Sequence, residues 1–390
     1  MPSSFSCQVL IAGGGIAGLW SLRRLLAAGY NAFLLEQNHI GSGQTLGSQG
    51  ILHGGVKYGL DGSNRAIADQ LRSQPPRWLD SLAGHGELNL SSATITSPCQ
   101  HLWAADSWLA RVGATVGARA MQGEVTKLNP ADWPAALRDG GHHGSVYQLE
   151  ESVLDVRSVC KALADPVKDR ILHGTIDDLS VQDGRVSSIR SGDLHLSADA
   201  FLFTAATGNE LASTALGFGP KATQRRPLRM IMARGPLPTL WGHCVAVSPK
   251  PVATITSHNS ESGRIWYLGG GVAEDGASLS NTDAIANAAR TAARILPNLP
   301  WHAVQWASWL VDRAEPAADS RLPDGPVLRP ATNAAVCWPS KLVYAPALAD
   351  LTEAFVRSLT SPSGLSSPPP PLPLATMGAY PWESASWLSL

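Results

Sequence analysis

The sequence predicts an α/β fold that combines a parallel sheet with an antiparallel one. Residues 8–12 form a short apolar run that ends in glycines, residues 16–28 carry apolar side chains at helical spacing, and residues 31–36 form a second strand-like run. Together they have the order and the length, about thirty residues, of a parallel strand–helix–strand unit. Residues 225–270 hold several short strand candidates in succession, which is typical of an antiparallel sheet. We therefore expect two sheets of different type.

Local signals predict further elements along the chain. A helix is expected from residue 63 to residue 83, with an interruption at Pro75-Pro76. A second helix is expected over residues 154–164, with Asp155 as its cap. Asp183-Gly184, between two apolar runs, predicts a β-hairpin.

The turn between the first strand and the first helix carries a dinucleotide-binding pattern. Residues 13–18, GGGIAG, match G-x-G-x-x-G. In this pattern the first glycine permits a tight turn, the second lets the backbone approach a pyrophosphate, and the third allows close packing of helix on strand. The diphosphate then lies at the positive end of the helix dipole. The predicted nucleotide contacts are Gly13, Gly15, Ile16, Ala17 and Gly18.

The end of the second strand indicates which nucleotide is bound. Glu36 closes this strand, where an acidic residue hydrogen-bonds ribose hydroxyls and disfavours a 2′-phosphate cofactor such as NADP. Gln37 beside it belongs to the same predicted site. The sequence contains no second G-x-G-x-x-G unit, because Gly269-Gly270-Gly271 lacks the third spaced glycine and an acidic partner. A separate NAD(P)H-binding domain is therefore not expected.

A Gly/Ser-rich segment follows, and it carries a resemblance to a known family. Residues 41–58 are GSGQTLGSQGILHGGVKY. This segment resembles the D-amino-acid oxidase-like (DAO) superfamily of FAD-dependent oxidoreductases. Within it, the run from residue 48 to residue 58 is most similar to the FAD-dependent glycerol-3-phosphate and 2-hydroxyglutarate dehydrogenases. The resemblance implies that the cofactor is FAD and that Ser48, Gln49 and Gly50 lie along the flavin and its ribityl chain.

Two later segments support the resemblance and one departs from it. Residues 204–208, TAATG, resemble the motif by which the chain returns to the FAD-binding domain, which adds Ala206 and Gly208 to the implied cofactor contacts. Residues 263–270 resemble a strand of the substrate domain in these enzymes. Residues 333–350 lack the glycine pattern with which family members close the cofactor site.

The spacing of these motifs predicts a discontinuous, Rossmann-like FAD-binding domain with an inserted antiparallel α+β substrate domain. Four consecutive prolines, Pro368 to Pro371, predict a stiff, solvated segment near the end of the chain. The expected divisions are residues 1–85, 150–215 and 320–360 for the FAD-binding domain, 86–149 and 216–319 for the substrate domain, and 361–390 for a proline-rich tail.

Three residues are candidates for substrate chemistry. Oxidation by a flavin needs the substrate carbon at flavin N5 and, for many substrates, a base. His53, in the flavin loop, is the first candidate for that base; flavin contact or a covalent flavin link are the alternatives. Arg229 is a candidate anchor for a substrate carboxylate, or else forms a salt bridge. Lys341, near a predicted flavin segment, is a candidate for stabilising reduced-flavin charge, or else is solvated.

The predicted function is oxidation of a small hydroxy acid, polyol phosphate, or amino acid or amine by hydride transfer to flavin N5. Electrons then pass to oxygen, a quinone or an electron-transfer protein. The alternatives are an FAD-binding protein without turnover and a flavin monooxygenase. The monooxygenase is disfavoured because the Gly-Asp motif of its second flavin segment is missing.

Composition excludes several other classes of protein. The net charge of -1, from 30 basic and 31 acidic residues, gives no sign of a nucleic-acid partner. No metal site is expected, since His142-His143 has no carboxylate or cysteine at ligand spacing. The five dispersed cysteines fit a reducing cytoplasm. No apolar run approaches the ~18 residues of a transmembrane helix.

Overall fold

The computed structural model describes residues 3–54, 70–105, 125–219, 221–246, 250–317, 325–364 and 367–390. Within these ranges, the helices are all too short or too polar to cross a membrane.

The first sheet is mainly parallel and contains the predicted strand–helix–strand unit. Its central path runs in the order β17-β18-β11-β1-β2-β8, and β1 pairs in parallel with both β2 and β11. The strands β9 and β10 extend the sheet beside β11 through the hairpin predicted at Asp183-Gly184. Within the described ranges its eight strands are β1 (Ser3–Ala12), β2 (Ala32–Glu36), β8 (Ile171–His173), β9 (Asp178–Gln182), β10 (Arg185–Ser191), β11 (Leu194–Phe203), β17 (Val327–Pro330) and β18 (Ala334–Trp338).

The second sheet is mainly antiparallel, so the predicted fold class is confirmed. Its order is β19-β16-β12-β15-β14-β13-β4-β6-β5, and only the β13–β4 pair in that order is parallel. A separate small sheet pairs β3 (Ile95–Ser97) with β7 (Val153–Leu154). Among the residues that the structure describes, the nine strands of the second sheet are β4 (Gln100–Ala104), β5 (Val125–Lys127), β6 (Val146–Leu149), β12 (Thr223–Arg234), β13 (Gly242–Val245), β14 (Ala253–Ser260), β15 (Gly263–Gly269), β16 (Gln305–Pro316) and β19 (Leu388–Ser389).

Helices cover the sheets, and two predictions about them are confirmed. Residues 70–72 are helical, the helix breaks at Ser73, and α2 (Gln74–Leu82) begins directly after the break with Pro75 and Pro76 in its first turn, where a proline loses no helical hydrogen bond. The expected start at residue 63 lies outside the described residues. The cap at Asp155 is confirmed, because its side chain accepts a hydrogen bond from the Ser158 amide. The helices are α1 (Ile16–Ala27), α2 (Gln74–Leu82), α3 (Ala135–Arg138), α4 (Val156–Ala164), α5 (Asn209–Ala215), α6 (Gly271–Gly276), α7 (Asn281–Ile295) and α8 (Ala345–Leu359).

The two sheets share a hydrophobic core. A single cluster of buried side chains includes Val9 and Ile11 of β1 together with Met230 and Met232 of β12 and Tyr267 of β15. This common core holds the carboxyl end of β1 against the second sheet, and a large cavity opens at that junction.

The last segment of the chain connects the sheets. The His173 amide donates to the Pro373 carbonyl at 2.7 Å, and the Ala375 amide donates to the Ile171 carbonyl at 2.9 Å, both beside the first sheet. The chain then buries Trp382 and ends in β19, which pairs with β16 of the second sheet. The predicted division into domains and tail stays a prediction, but residues 367–390 contact both sheets.

Candidate active site

Glycines shape the turn between β1 and α1. Gly13 has φ +109°, and a Cβ there would lie 2.7 Å from the Thr204 carbonyl oxygen. A Cβ on Gly18 would lie 2.0 Å from the Gly13 carbonyl oxygen. The helix begins after Gly15, which has no side chain to act as a cap, and the Ile16 amide donates to Thr45 Oγ1 at 3.1 Å. The turn is therefore a cradle of the kind that accepts a diphosphate at a helix amino end.

Backbone amides hold Glu36 beside this cradle. Its Oε2 accepts a hydrogen bond from the Gly14 amide at 2.6 Å, and its Oε1 accepts one from the Asn38 amide at 2.7 Å. The carboxylate is thereby fixed in orientation at the end of β2. This arrangement fits recognition of ribose hydroxyls, and the negative charge of Glu36 disfavours a 2′-phosphate at that position.

The cavity between the sheets has a volume of about 800 Å³. That is within the range of small-molecule and cofactor sites, about 300–1,000 Å³. Gly18 is not among the lining residues, because it lies in α1 behind Gly13. The other predicted cofactor residues all line the cavity, namely Gly13, Gly15, Ile16, Ala17, Glu36, Gln37, Ser48, Gln49, Gly50, Ala206 and Gly208.

The loop after residue 47 joins the cavity wall to the second sheet. The Gln49 amide group donates to the Thr254 carbonyl at 3.0 Å and to the Tyr267 carbonyl at 2.9 Å. Gly50 has φ +72°, and a Cβ there would lie 2.2 Å from the Leu154 carbonyl oxygen. Ser48 Oγ is buried and has no hydrogen-bond partner among the described residues. A buried hydroxyl in a cavity wall is a group that a polar ligand would satisfy.

The segment that lacked the family glycine pattern still closes the cavity. Residues 337–342 line it. Ser340 has φ +62°, the left-handed conformation that glycine adopts at no steric cost. Its hydroxyl donates to the Gly325 carbonyl at 3.0 Å, which helps to hold that conformation. A pattern search for glycine misses this turn because a serine makes it.

A histidine–carboxylate pair lies in the cavity wall. His53 Nδ1 is 3.3 Å from Glu151 Oε2, and the Glu151 side chain is only 3% exposed. Glu151 also accepts hydrogen bonds from the Gly54 amide at 2.8 Å and from Gln100 Nε2 at 3.2 Å. His243 faces His53, with ring centroids 6.1 Å apart and an angle of 26° between the planes. His53 and His243 both line the cavity.

Sequence reasoning missed Glu151 and His243. His53 and Glu151 are 98 residues apart, so no local pattern relates them. The three side chains each offer a ligand atom, and these atoms lie within 4.8 Å of one another. Although no metal site was expected from the sequence, these residues are a candidate set of metal ligands.

Of the two predicted cationic side chains, Lys341 lines the cavity and Arg229 does not. Leu228 and Met230 line the cavity, and since side chains alternate along a strand, Arg229 lies on the other face of β12. There Arg229 Nε donates to the Gly276 carbonyl at 3.1 Å, away from the cavity lining. Lys341 does line the cavity, with its ammonium 5.5 Å from the Tyr344 ring centre.

Arg313 is a cavity-lining cation that the sequence reasoning missed. Its Nη2 is 2.9 Å from Glu315 Oε1, and Arg226 Nη1 is 3.3 Å from Glu315 Oε2. Glu315 is only 1% exposed. Two guanidinium groups share one carboxylate, so this triad carries one net positive charge. Asp312, which also lines the cavity, pairs with Arg225 at 3.3 Å.

The buried side chain of His258 allows us to predict how the stability of the fold depends on pH. Burial lowers the pKa of His258 from 6.5 to about 4, and the Asp155 carboxylate opposes part of the shift. Between these values the unfolded chain binds more protons, so stability falls as the pH falls. We expect the wild type to lose about 3 kcal/mol of unfolding free energy from this group, at 1.36 kcal/mol per pKa unit. Urea unfolding at both ends of the interval measures it, and an equal loss in His258→Gln would contradict the assignment.

Comparisons with known proteins agree with this geometry. The sequence model of the family described as FAD dependent oxidoreductase (DAO) matches residues 8–352. The chain is 36% identical over 389 residues to the probable FAD-dependent oxidoreductase PA4991 of Pseudomonas aeruginosa, covering 99% of this chain and 100% of that protein. The crystal structure of PA4991 superposes with a TM-score of 0.83 at 33% identity, over 98% of this chain and 99% of that chain.

More distant structures share the fold. Glycine oxidase from Geobacillus kaustophilus superposes with a TM-score of 0.66 at 16% identity, over 91% of this chain and 96% of that chain. L-alpha-glycerophosphate oxidase from Mycoplasma pneumoniae, with FAD bound, superposes with a TM-score of 0.64 at 13% identity, over 96% of this chain and 97% of that chain. With a glycine cradle, a fixed acidic strand end and a family match over most of its length, the chain belongs to the DAO family and is an FAD-dependent oxidoreductase.

Proposed function

We propose that FAD occupies the cavity between the two sheets, held by the residues predicted from the sequence. Amides of the β1–α1 turn hold the diphosphate, Glu36 and Gln37 bind the adenosine ribose, and residues 48–50 follow the flavin. Ala206 and Gly208 close the site opposite the turn. The glycine cradle and the buried hydroxyl of Ser48 support this assignment.

The pair of His53 and Glu151 supports oxidation of a hydroxyl group. A carboxylate can only accept a hydrogen bond, so at 3.3 Å from Glu151 Oε2 the Nδ1 of His53 carries the ring proton. Nε2 is then the ring nitrogen that is left to accept a proton. A bound FAD would supply the acceptor for the hydride that the substrate carbon loses. His53 Nε2 would take the hydroxyl proton, which leaves a carbonyl product.

The nature of the substrate follows from this pair. A hydroxyl group is a weak acid whose proton must be removed during oxidation, whereas a neutral amine already has a lone pair that favours loss of hydride. The names of the structural relatives include both an amino-acid oxidase and a glycerophosphate oxidase. The flavin loop resembles hydroxy-substrate dehydrogenases, although residues 55–58 lie outside the described part of the chain. We therefore favour a small hydroxy acid, with a polyol phosphate as the related choice.

The triad of Arg226, Glu315 and Arg313 supports an anionic substrate. Arg313 lines the cavity and shares the single carboxylate of Glu315 with Arg226, whereas the neighbouring Asp312 pairs with Arg225. A substrate carboxylate beside Arg313 would complete the charge balance by a bidentate contact.

Replacement of Arg313 tests the anionic anchor. We expect Arg313→Gln to raise the KM for a hydroxy acid about 10- to 100-fold, as expected for loss of a charge-assisted hydrogen bond. Arg229→Gln is the matched control and should leave KM near the wild-type value, because Arg229 lies on the opposite strand face. Steady-state kinetics measure both, and a larger effect from Arg229→Gln would overturn the anchor.

Oxidation of the substrate would leave the cofactor reduced, so another compound must accept its electrons. We propose oxygen, a quinone or an electron-transfer protein for this role, and turnover assays with each acceptor separate them. We also propose a cytoplasmic location, which the five cysteines support because none of them forms a disulfide, as expected in a reducing compartment.

The substrate class is tested with matched pairs of compounds under anaerobic conditions. A hydroxy acid and the amino acid of the same carbon skeleton are mixed with the holoenzyme, and the loss of flavin colour is followed. Faster reduction by the hydroxy acids supports the proposal, and faster reduction by the amino acids overturns it.

A further inference from the structure

Three side chains meet in the cavity wall and form what we term the His–Glu–His cluster: His53, Glu151 and His243. One ligand atom from each lies within 4.8 Å of the other two. Metal-bound nitrogen and oxygen ligands at about 2.0–2.2 Å from zinc are themselves only a few ångströms apart. The cluster therefore needs only small side-chain movements to surround one ion.

Outer contacts hold two of the three ligands in place. Glu151 Oε1 accepts from the Gly54 amide at 2.8 Å, and its Oε2 accepts from Gln100 Nε2 at 3.2 Å. His243 Nδ1 is 2.8 Å from Thr254 Oγ1. A hydrogen bond to the second nitrogen of an imidazole is the usual support for a metal-binding histidine, and it leaves Nε2 turned to the cluster.

The charge of the cluster favours a cation. Glu151 is 3% exposed and His243 is 3% exposed. Among the described residues, Glu151 forms an ion pair with His53, and a histidine is charged only when it is protonated. A buried carboxylate is costly without a positive partner. Two imidazoles and one carboxylate form a zinc-type donor set, and the adjoining cavity leaves coordination positions for water.

We propose that the His–Glu–His cluster binds one divalent transition-metal ion of the Zn²⁺ class and that this ion inhibits substrate oxidation. The inhibitory part rests on the proposed role of His53, whereas the binding part does not. Coordination through His53 Nδ1 requires the lone pair on that nitrogen, so the ring proton moves to Nε2. With Nε2 protonated, the ring has no lone pair for the substrate hydroxyl proton. The ion exchanges bound water molecules for the three side chains, its oxidation state does not change, and no oxidant is consumed.

Binding is tested on the FAD-loaded enzyme with zinc sulfate. Isothermal titration and elemental analysis after dialysis should find one Zn²⁺ per chain. Glu151→Gln and His243→Ala should each weaken zinc binding by about 100-fold or more. Loss of a residue that only supports a metal ligand costs up to about 100-fold in affinity, and loss of a ligand itself should cost at least as much. His302→Ala, which removes an exposed histidine outside the cavity, is the control and should bind as the wild type does.

Flavin content and circular dichroism show whether each variant is folded, and either cluster variant alone is sufficient for the test. Absence of stoichiometric zinc from the wild type, or equal binding by a folded cluster variant, overturns the metal site and leaves the proposed oxidation untouched. If zinc binds but anaerobic flavin reduction keeps its rate, the inhibitory mechanism is overturned. Inhibition that follows zinc occupancy and is reversed by a chelator supports both parts.

Discussion

Replacing Gly18 with alanine is expected to abolish retention of FAD. The added Cβ would lie 2.0 Å from the Gly13 carbonyl oxygen and 2.8 Å from Thr204 Oγ1. Neither atom moves freely, because Gly13 is in the cradle itself and Thr204 Oγ1 donates to the Gly13 carbonyl at 2.9 Å. Overpacking of this kind costs about 1–3 kcal/mol or more, and here the strain falls on the diphosphate cradle. Flavin absorbance of the purified protein and its thermal unfolding measure the effect.

A glycine outside the cavity lining provides the control. A Cβ on Gly217 would meet no atom within 4 Å, although Gly217 also has a positive φ of +78°. Gly217→Ala therefore carries backbone strain without a steric clash, and it should still purify with FAD. Full FAD occupancy and unchanged thermal stability in Gly18→Ala would show that the helix does not pack on the turn as described.

Removing the side chain of His53 is expected to slow anaerobic flavin reduction by a hydroxy acid about 10²- to 10⁴-fold, the usual contribution of a general base. Glu151→Gln should cause a smaller loss. An amide can still accept from Nδ1 through its oxygen, but it no longer stabilises the protonated ring by charge. Stopped-flow absorbance measures the rate of reduction in each variant. His302→Ala, an exposed histidine outside the cavity, serves as the control.

Flavin content separates a role in chemistry from a role in cofactor binding. If His53→Ala loses its FAD, the histidine acts in cofactor binding, and if it keeps both FAD and the wild-type rate, the assignment of the base is wrong. Denaturation of the wild type should release all the flavin, since the proposed base needs a free Nε2. Flavin that stays attached to the denatured chain would indicate the covalent link instead.

The amino-terminal unit could be predicted from the sequence because its signals are local. The apolar run before the glycines, the helical spacing after residue 16 and the acidic end at Glu36 each specify a structure within a few residues of chain. The β-hairpin at Asp183-Gly184 is local in the same sense, since both residues adopt the positive φ that such a turn requires. These predictions needed no knowledge of the rest of the fold.

The chemistry of the second sheet could not be predicted in this way. The pairing of His53 with Glu151 depends on how the cavity wall is assembled from distant segments. The face on which Arg229 lies depends on the register of β12. The neighbouring residues that line the cavity show this register, whereas the composition of the strand does not. Ser340 adopts a backbone conformation that a search for glycine overlooks.

The reduction of bound flavin by substrate is the most direct test of the whole account. Purified protein should be yellow, carry one FAD per chain, and lose its colour under anaerobic conditions when a small hydroxy acid is added, with the carbonyl compound formed in equal amount. Colourless protein that takes up no added FAD would contradict the placement of the cofactor in the cavity. Bound flavin that neither hydroxy acids nor polyol phosphates reduce would contradict the oxidation that we propose.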